Sequence, residues 1–249
     1  MPGYRGLAFD YADMLVEINR MESLSSQFVA PHSEGVLARC YETLENIRHS
    51  TTTRTQFFEI SDTWPLRTID SCGEYRASGR TGGRCLYGTL SFRWEVQNPN
   101  AGSSRQKEFY LIGESSINIR LHDAQSDEQL AQWQIESGDA TSPGCHFHSA
   151  VNQRLSQGLF PEWLKVPRFP SMLVSPMDGL EFLLGELFQL RWNQTVSTDS
   201  DAKNTWATCQ RRRLERVLTW KLQQVRNADT TPWMAIKKAK PDLRLLVDR

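Results

Sequence analysis

Apolar residues near the N terminus recur at intervals of three and four, which is the period of an amphipathic helix. Two such stretches predict helices over residues 7–28 and 33–48, separated by the helix-ending residue Pro31. The pattern consists of Leu7, Tyr11, Met14, Leu15, Ile18 and Met21 in the first stretch and Val36, Leu37, Cys40, Tyr41, Leu44 and Ile47 in the second.

From about residue 56 the hydrophobic period changes to two, the period of a half-buried strand. Short turn-forming segments join most of the alternating stretches, so we expect neighbouring strands to pair as an antiparallel meander. A glycine at position 113 predicts a bulge within one strand. The predicted strands cover 56–60, 86–96, 107–122, 129–137 and 144–152.

Two predicted turns define how the last three strands pair. If the turn at 124–128 places His122 opposite Leu130 and the turn at 138–144 places Ser137 opposite Cys145, one sheet face is apolar and the other is polar. The predicted apolar face contains Ile117, Ile119, Leu121, Ala131, Trp133, Ile135, Cys145 and Phe147. The predicted polar face contains Asn118, Arg120, Gln132, Gln134, Glu136, His146 and His148.

Helical patterns return in the C-terminal third. Ser175, Pro176 and Asp178 have the order of a helix start, and the helix that follows to about 192 is apolar on most sides, which predicts a central helix. A long helix over about 201–226 and a short one over 233–240 complete the chain. The inner stripe predicted for the long helix is Trp206, Cys209, Leu214, Val217, Leu218, Leu222 and Val225.

These elements predict an α+β fold, in which an antiparallel meander of four or five strands is packed on one face by N-terminal and C-terminal helices. The simplest division of the chain is an α+β domain over 1–195 and a basic helical extension over 196–249 that packs on the same domain. Residues 201–249 hold twelve Lys and Arg against five Asp and Glu, although the whole chain is neutral.

Composition and sequence patterns indicate the class of protein, its cellular location and the redox state of its cysteines. With 39% hydrophobic and 23% charged residues among 249, the chain is typical of a folded globular protein. No apolar run approaches the roughly 18 residues of a membrane span and the start lacks a secretory pattern, so we expect a cytoplasmic protein without membrane contact. Five scattered cysteines with no Cys-x-x-Cys pair predict reduced thiols.

The pair His146 and His148 is the clearest candidate for chemistry. Residues two apart on a strand leave the backbone on the same side, so both imidazoles can reach one ion. In the predicted register Glu136 lies opposite His146 and supplies a third ligand, whereas His122 is two strands away. The sequence therefore offers one divalent metal site, with hydrogen-bonded histidines on a polar sheet face as the simpler interpretation.

Two basic regions are candidates for binding. Arg76, Arg80 and Arg84 alternate with glycines in a segment that can wrap a phosphate or can be an ordinary surface loop. The C-terminal helices carry basic residues interleaved with tryptophans, a composition that suits nucleic acid or an acidic protein surface. These basic residues are Arg211, Arg212, Arg213, Arg216, Lys221, Lys237, Lys238 and Lys240. The simpler interpretation is a solvated helix face whose charges meet the acidic remainder of the protein or of a partner subunit.

Two functional hypotheses follow. The first is a non-enzymatic binding or assembly subunit, without a cofactor, whose basic C-terminal helices dock onto nucleic acid or an acidic protein surface. The second is a metal-dependent enzyme of the hydrolase or oxygenase type that uses Glu136, His146 and His148. Glycine-rich nucleotide loops, His-Glu-x-x-His helices and Gly-x-Ser-x-Gly elbows are absent from the sequence, which weakens the case for a familiar enzyme.

Overall fold

A computed structural model of the protein describes residues 5–52, 54–75, 83–98, 106–137, 146–151, 169–242 and 244–247. These residues form an α+β fold. The strands are β1 (Arg5–Asp10), β2 (Gln56–Ile60), β3 (Leu66–Arg67), β4 (Ser71–Cys72), β5 (Cys85–Gln97), β6 (Glu108–Asp123), β7 (Gln129–Ser137), β8 (His146–Val151) and β9 (Phe169–Pro170). The helices are α1 (Tyr11–Ser25), α2 (Val36–His49), α3 (Pro176–Leu187), α4 (Gln189–Ser197), α5 (Asp201–Arg226) and α6 (Pro232–Lys238).

The described strands form one antiparallel sheet in the order β2-β5-β6-β7-β8-β9, with β3 and β4 also beside β5 and β1 beside β6. The sheet is larger than the predicted four or five strands, because short pairings such as β3 and β4 carry too few residues to show a period. β6 pairs with β1 over its first part and with β7 over its second. Gly113, with φ of +63°, lies between the two parts and forms the predicted bulge.

The predicted register of β6, β7 and β8 is confirmed within the described residues, while Cys145, the predicted partner of Ser137, lies outside them. Ile135 lies opposite Ile117 on one side and opposite Phe147 on the other, so these apolar residues share a face. A second bulge near the β6–β7 turn places His122 opposite Gln129 rather than Leu130. The bulge shifts only the end of the ladder and leaves the segregation of apolar and polar side chains unchanged.

The first predicted helix begins too early and ends too late. Residues 5–10 form β1, in which Phe9 pairs with Phe109 of β6, and α1 starts only after Asp10, whose carboxylate accepts the backbone N–H groups of Ala12 and Asp13. Leu7 matched the helical period by coincidence, because it lies four residues before Tyr11. At the other end α1 stops at Ser25, and the chain continues to Phe28 as a 3₁₀ turn.

Helices cover the apolar face of the sheet, with α3 against β5 and β6 and α5 against α1. Two glycines allow α3 to lie close to the sheet. A Cβ at Gly88 of β5 would overlap the side chains of Leu183 and Leu187, and a Cβ at Gly179 of α3 would lie 3.2 Å from Ile117. The buried core on this side is continuous from β1 to α5.

The predicted central helix is in fact two helices. Phe188 leaves helical geometry, with φ of −125° and ψ of 40°, and separates α3 from α4. Its ring is fully buried 5.1 Å from that of Phe28. After this break in the helix, Trp192 of α4 lies in the core, but Leu190 is exposed. The apolar residues of α3 and α4 are therefore not all buried.

The structure also corrects the expected inner stripe of α5. Leu218 and Leu222 are exposed, whereas the charged residue Arg213 is buried. Hydrophobic periodicity assigns leucines to the interior, but the side of α5 that packs inward is the one that carries Trp206, Cys209, Arg213 and Val217. An apolar pair therefore remains on its outer surface.

The expectation that all thiols are reduced is wrong for one pair. Cys72 of β4 lies directly opposite Cys85 of β5, with Cα atoms 4.1 Å apart, and the two form a disulfide. The 13-residue separation gave no recognisable spacing motif, so only the pairing of β4 with β5 reveals the bond. Cys40 and Cys209 are buried free thiols.

Candidate metal centre and basic surface

Strands β7 and β8 position the candidate metal ligands. Glu136 of β7 is paired with His146 of β8, and His148 follows two residues along the same strand. Because side chains alternate between faces, all three project from the polar face of the sheet. Phe147 projects from the opposite face, where its ring centroid is 6.3 Å from that of Phe182 in α3. Burial of Phe147 against α3 thus sets the orientation of both neighbouring imidazoles.

The three side chains converge on one carboxylate oxygen. Glu136 Oε2 lies 3.0 Å from His146 Nε2 and 3.3 Å from His148 Nε2. The potential ligand atoms of the three residues all lie within 4.8 Å of one another. The His146 side chain has no solvent exposure, while those of His148 and Glu136 are 20% and 32% exposed. The cluster is therefore partly closed and opens towards solvent on the Glu136 side.

The two distances from Glu136 Oε2 suit a small divalent ion. Metal–ligand bonds of about 2.0–2.1 Å in a tetrahedral site separate neighbouring ligand atoms by about 3.3–3.4 Å. Glu136 Oε2 already lies near that separation from each imidazole nitrogen. Two imidazoles and one carboxylate form a ligand set used for zinc and for non-haem iron, and both leave positions open for water or substrate.

His122 does not belong to this cluster, as its predicted position indicated. It lies on β6, where its ring stacks on Tyr87 with centroids 4.8 Å apart. Burial lowers the pKa of His122, so its imidazole is favoured in the neutral form. Among the described residues, Glu136, His146 and His148 are the only group of three or more His, Cys, Asp or Glu with metal-binding geometry.

Arg213, predicted as part of a basic docking surface, lies in the interior. Its guanidinium donates hydrogen bonds to Glu17 of α1 and to Asp178 of α3. Burial raises the pKa of Glu17 to about 7, against the opposing effect of the Arg213 charge. Burial alone would lower the pKa of Arg213, but the charges of Asp178 and Glu17 outweigh it and raise that pKa. Arg213 therefore joins three helices and is not available to a partner.

Several other predicted basic residues already have internal partners. Arg212 pairs with Asp13 at 3.1 Å, Lys221 donates to the Ser171 carbonyl oxygen at 2.7 Å, and Arg84 pairs with Asp123. Arg76 and Arg80 lie outside the described residues. Of the basic residues predicted to bind a partner, Arg211, Lys237, Lys238 and Lys240 are exposed to solvent, and Arg216 is half-buried.

The exposed leucines of this surface were missed by sequence reasoning, which assigned them to the inner stripe of α5. Leu218 and Leu222 of α5 are each 46% exposed, and Trp233 of α6 is 49% exposed. The two leucines are four residues apart and so lie on one side of the helix. We call Arg211, Leu218, Leu222, Trp233, Lys237 and Lys238 the C-terminal surface. Its composition is mixed, with an apolar stripe accompanied by positive charges.

Comparison of the chain with protein-family models, with curated proteins and with solved structures finds no match. Among the helices of the described ranges, none has both the length and the apolar character needed to cross a bilayer. Functional assignment therefore depends on the geometry of the sites themselves.

Proposed function

We propose that the protein is a metal-dependent enzyme whose divalent ion is held by Glu136, His146 and His148. The convergence of three ligand atoms from two adjacent strands is the observation that carries this proposal. Three protein ligands leave at least one coordination position for water or substrate, which is the arrangement of catalytic rather than structural sites. A bound ion there would polarise a substrate oxygen or activate a water molecule.

Rigid placement of the ligands supports this function. The side chains come from strands inside a sheet, and Phe147 between the two histidines packs against α3. Sites built on regular elements hold their ligands more accurately than sites on loops. The exposed side of Glu136 leaves a route for an ion and for a small substrate.

Metal titration of the purified protein tests the proposal. After dialysis against a chelator, Zn²⁺ or, under anaerobic conditions, Fe²⁺ is added while calorimetry reports stoichiometry and thermal unfolding reports Tm. We expect one equivalent of ion to bind and to raise Tm, because binding to the folded state alone stabilises it. Absence of stoichiometric binding for both ions would overturn the assignment and leave cross-strand hydrogen bonding as the role of these residues.

Variants locate the ion. His146→Ala, His148→Ala and Glu136→Gln should each weaken binding by more than about tenfold, since even outer partners of metal ligands contribute 10–100-fold. His122→Ala is the matched control, because His122 lies on the same sheet face outside the cluster. Glu136→Gln keeps a hydrogen-bond acceptor for the imidazoles but loses the charge, so it separates metal binding from structural pairing.

A second candidate function is docking through the C-terminal surface. The exposed leucine pair favours an acidic protein surface over nucleic acid, because nucleic-acid binding needs cations more than apolar area. In this function the chain is a non-enzymatic binding or assembly subunit. The positive side chains of Arg211, Lys237 and Lys238 would meet the carboxylates of the partner.

Fluorescence anisotropy distinguishes the two partners. A labelled acidic amphipathic helical peptide should bind, and the double variant Leu218→Ser with Leu222→Ser should weaken that binding by about tenfold. Leu190→Ser of α4 is the control, because Leu190 is also exposed on a helix but lies outside this surface. A labelled oligonucleotide that binds more tightly than the peptide, with a steep salt dependence, would identify nucleic acid instead.

A further inference from the structure

A second site lies on the same polar sheet face, over β3, β5 and β6. It is a cleft of about 720 Å³ between the sheet, the start of α2 and the segment that follows β2. Clefts of about 300–1,000 Å³ are the usual size for small-molecule sites. The residues that carry its chemistry are Arg39, Asp62, Trp64, Arg67, Tyr87 and Asp127.

The two carboxylates of the cleft have partners within the chain. Asp62 accepts hydrogen bonds from both terminal nitrogens of Arg120, at 2.9 and 3.2 Å, and from the Ser91 hydroxyl. The hydrogen bond from Arg120 holds the pKa of Asp62 below its usual value. Asp127 accepts a hydrogen bond from the Tyr87 hydroxyl. The negative charge of the cleft is thus largely engaged by these partners.

Two arginines retain capacity for an anion. Arg39 of α2 is exposed, and the described part of the chain offers it no ion pair within 4.0 Å. Arg67 stacks over the Tyr87 ring, with its guanidinium carbon 3.6 Å from the ring centroid, and its contact with Asp70 is long at 3.6 Å and partly exposed. Stacking orients the guanidinium while its N–H groups at the edge remain able to donate to a phosphate.

Trp64 adds a flat apolar surface at the cleft. Its side chain is 82% exposed, far more than that of any other large hydrophobic residue among the described residues. Hydrogen bonds within the preceding turn fix this segment: Trp64 N–H donates to the Ser61 carbonyl at 3.2 Å, and Thr63 N–H donates to the Ser61 hydroxyl at 3.2 Å. An exposed indole on an ordered turn is available for stacking with a planar ligand.

We propose that this cleft binds a nucleoside 5′-phosphate, with the base stacked on Trp64 and the phosphate held by Arg39 and Arg67. One aromatic platform and two available guanidinium groups in one cleft match the two chemical parts of such a ligand. The site is separate from Glu136, His146 and His148, which do not line the cleft. Binding in the presence of EDTA therefore tests this inference independently of the metal.

Calorimetric titration in EDTA at low salt, with AMP, adenosine and inorganic phosphate as separate probes, tests the inference. AMP should bind saturably and at least tenfold more tightly than either adenosine or phosphate, because only AMP engages both parts of the site. A short single-stranded oligonucleotide with a 5′-phosphate distinguishes a free nucleotide from a strand end. Tighter binding of the strand would assign the same cleft to nucleic-acid ends. Absence of saturable binding by AMP and by the strand would overturn the proposal.

Variants with matched controls assign the contacts. Trp64→Ala and Arg39→Ala should each weaken AMP binding by about tenfold, as expected for one stacked base and one phosphate contact. Phe57→Ala and Arg54→Ala change an exposed aromatic residue and an exposed arginine outside the cleft and should leave AMP binding unchanged. The proposed geometry would be overturned if the cleft and control variants lost AMP affinity equally. It would also be overturned if Trp64→Ala and Arg39→Ala bound AMP as tightly as the unmodified protein. Unchanged circular dichroism and Tm confirm that each variant is folded.

Discussion

Arg213 of α5 donates two hydrogen bonds to Asp178, the residue that completes the N-terminal capping box of α3. The same carboxylate accepts the backbone N–H groups of Val174 and Ser175 at 3.0 Å. The buried Asp178 side chain therefore accepts hydrogen bonds from the backbone at the start of α3 and neutralises the charge of Arg213 in α5. Glu17 of α1 supplies a second carboxylate to the same guanidinium, which places charged groups among three packed helices.

Replacing Arg213 should destabilise the fold strongly. Arg213→Ala leaves Asp178 and Glu17 buried without their cation, and breaking a buried ion pair in this way costs about 3–5 kcal/mol. Arg211→Ala, two residues earlier and exposed, should change the free energy of unfolding by less than about 0.5 kcal/mol. Urea denaturation of both variants measures the difference. Similar stabilities for the two would show that Arg213 has no such role.

Glu17 should make stability depend on pH near neutrality. Its pKa is about 7 in the folded protein, against the ordinary value of 4.5, so the folded state retains a proton that the unfolded chain releases. The contribution of this group to the free energy of unfolding therefore falls as pH rises from about 4.5 to about 7 and is constant above that range. One Glu17 oxygen, Oε2, is buried without a hydrogen-bond partner in the described residues, consistent with a group that resists ionisation.

Glu17→Gln removes this titration. Relative to the unmodified protein, the variant should gain stability as pH rises from about 4.5 to about 7, with no further change above pH 7. Urea denaturation at a series of pH values gives the difference directly. A difference that does not vary with pH would show that Glu17 ionises normally in the folded state.

The sheet could be predicted well because its signals are local. Two independent turns on either side of β7 gave the same segregation of apolar and polar residues, and that agreement also placed Glu136 beside His146. The candidate metal cluster was accessible to sequence reasoning for the same reason, since it needs only two adjacent strands. β1 was missed because Leu7 fits the helical period of the residues after it.

Features that join distant segments could not be predicted. The Arg213 group joins residues from α1, α3 and α5, and no periodicity indicates which arginine of α5 faces inward. The cleft joins Arg39, Trp64 and Tyr87 from three elements, so none of its residues forms a sequence motif with another. Even the Cys72–Cys85 bond depends on the register of a two-residue strand.

The disulfide should stabilise the protein measurably. Cross-linking residues 13 apart restricts the unfolded chain, and loops of about 15 residues contribute about 3 kcal/mol by the chain-entropy model. The double variant Cys72→Ser with Cys85→Ser should therefore unfold at lower urea concentration than the oxidised protein. Reduced protein should resemble the variant, and a reductant should have no effect on the variant. Equal stability of oxidised and reduced protein would contradict this expectation.

Gly88 at the interface of the sheet with α3 and Gly185 of α3 beside α4 should respond in opposite directions to the same change. Gly88→Ala forces a methyl group into Leu183 and Leu187, and overpacking of this kind costs about 1–3 kcal/mol. Gly185→Ala of α3 places its methyl 3.6 Å from Trp192, an ordinary contact, and alanine favours the helix over glycine by about 0.5–1 kcal/mol. Urea denaturation should show a lower free energy of unfolding for Gly88→Ala and a higher one for Gly185→Ala. Because both changes add one methyl group, a loss of equal size at both positions would mean that α3 does not approach the sheet as closely at Gly88 as the structure shows.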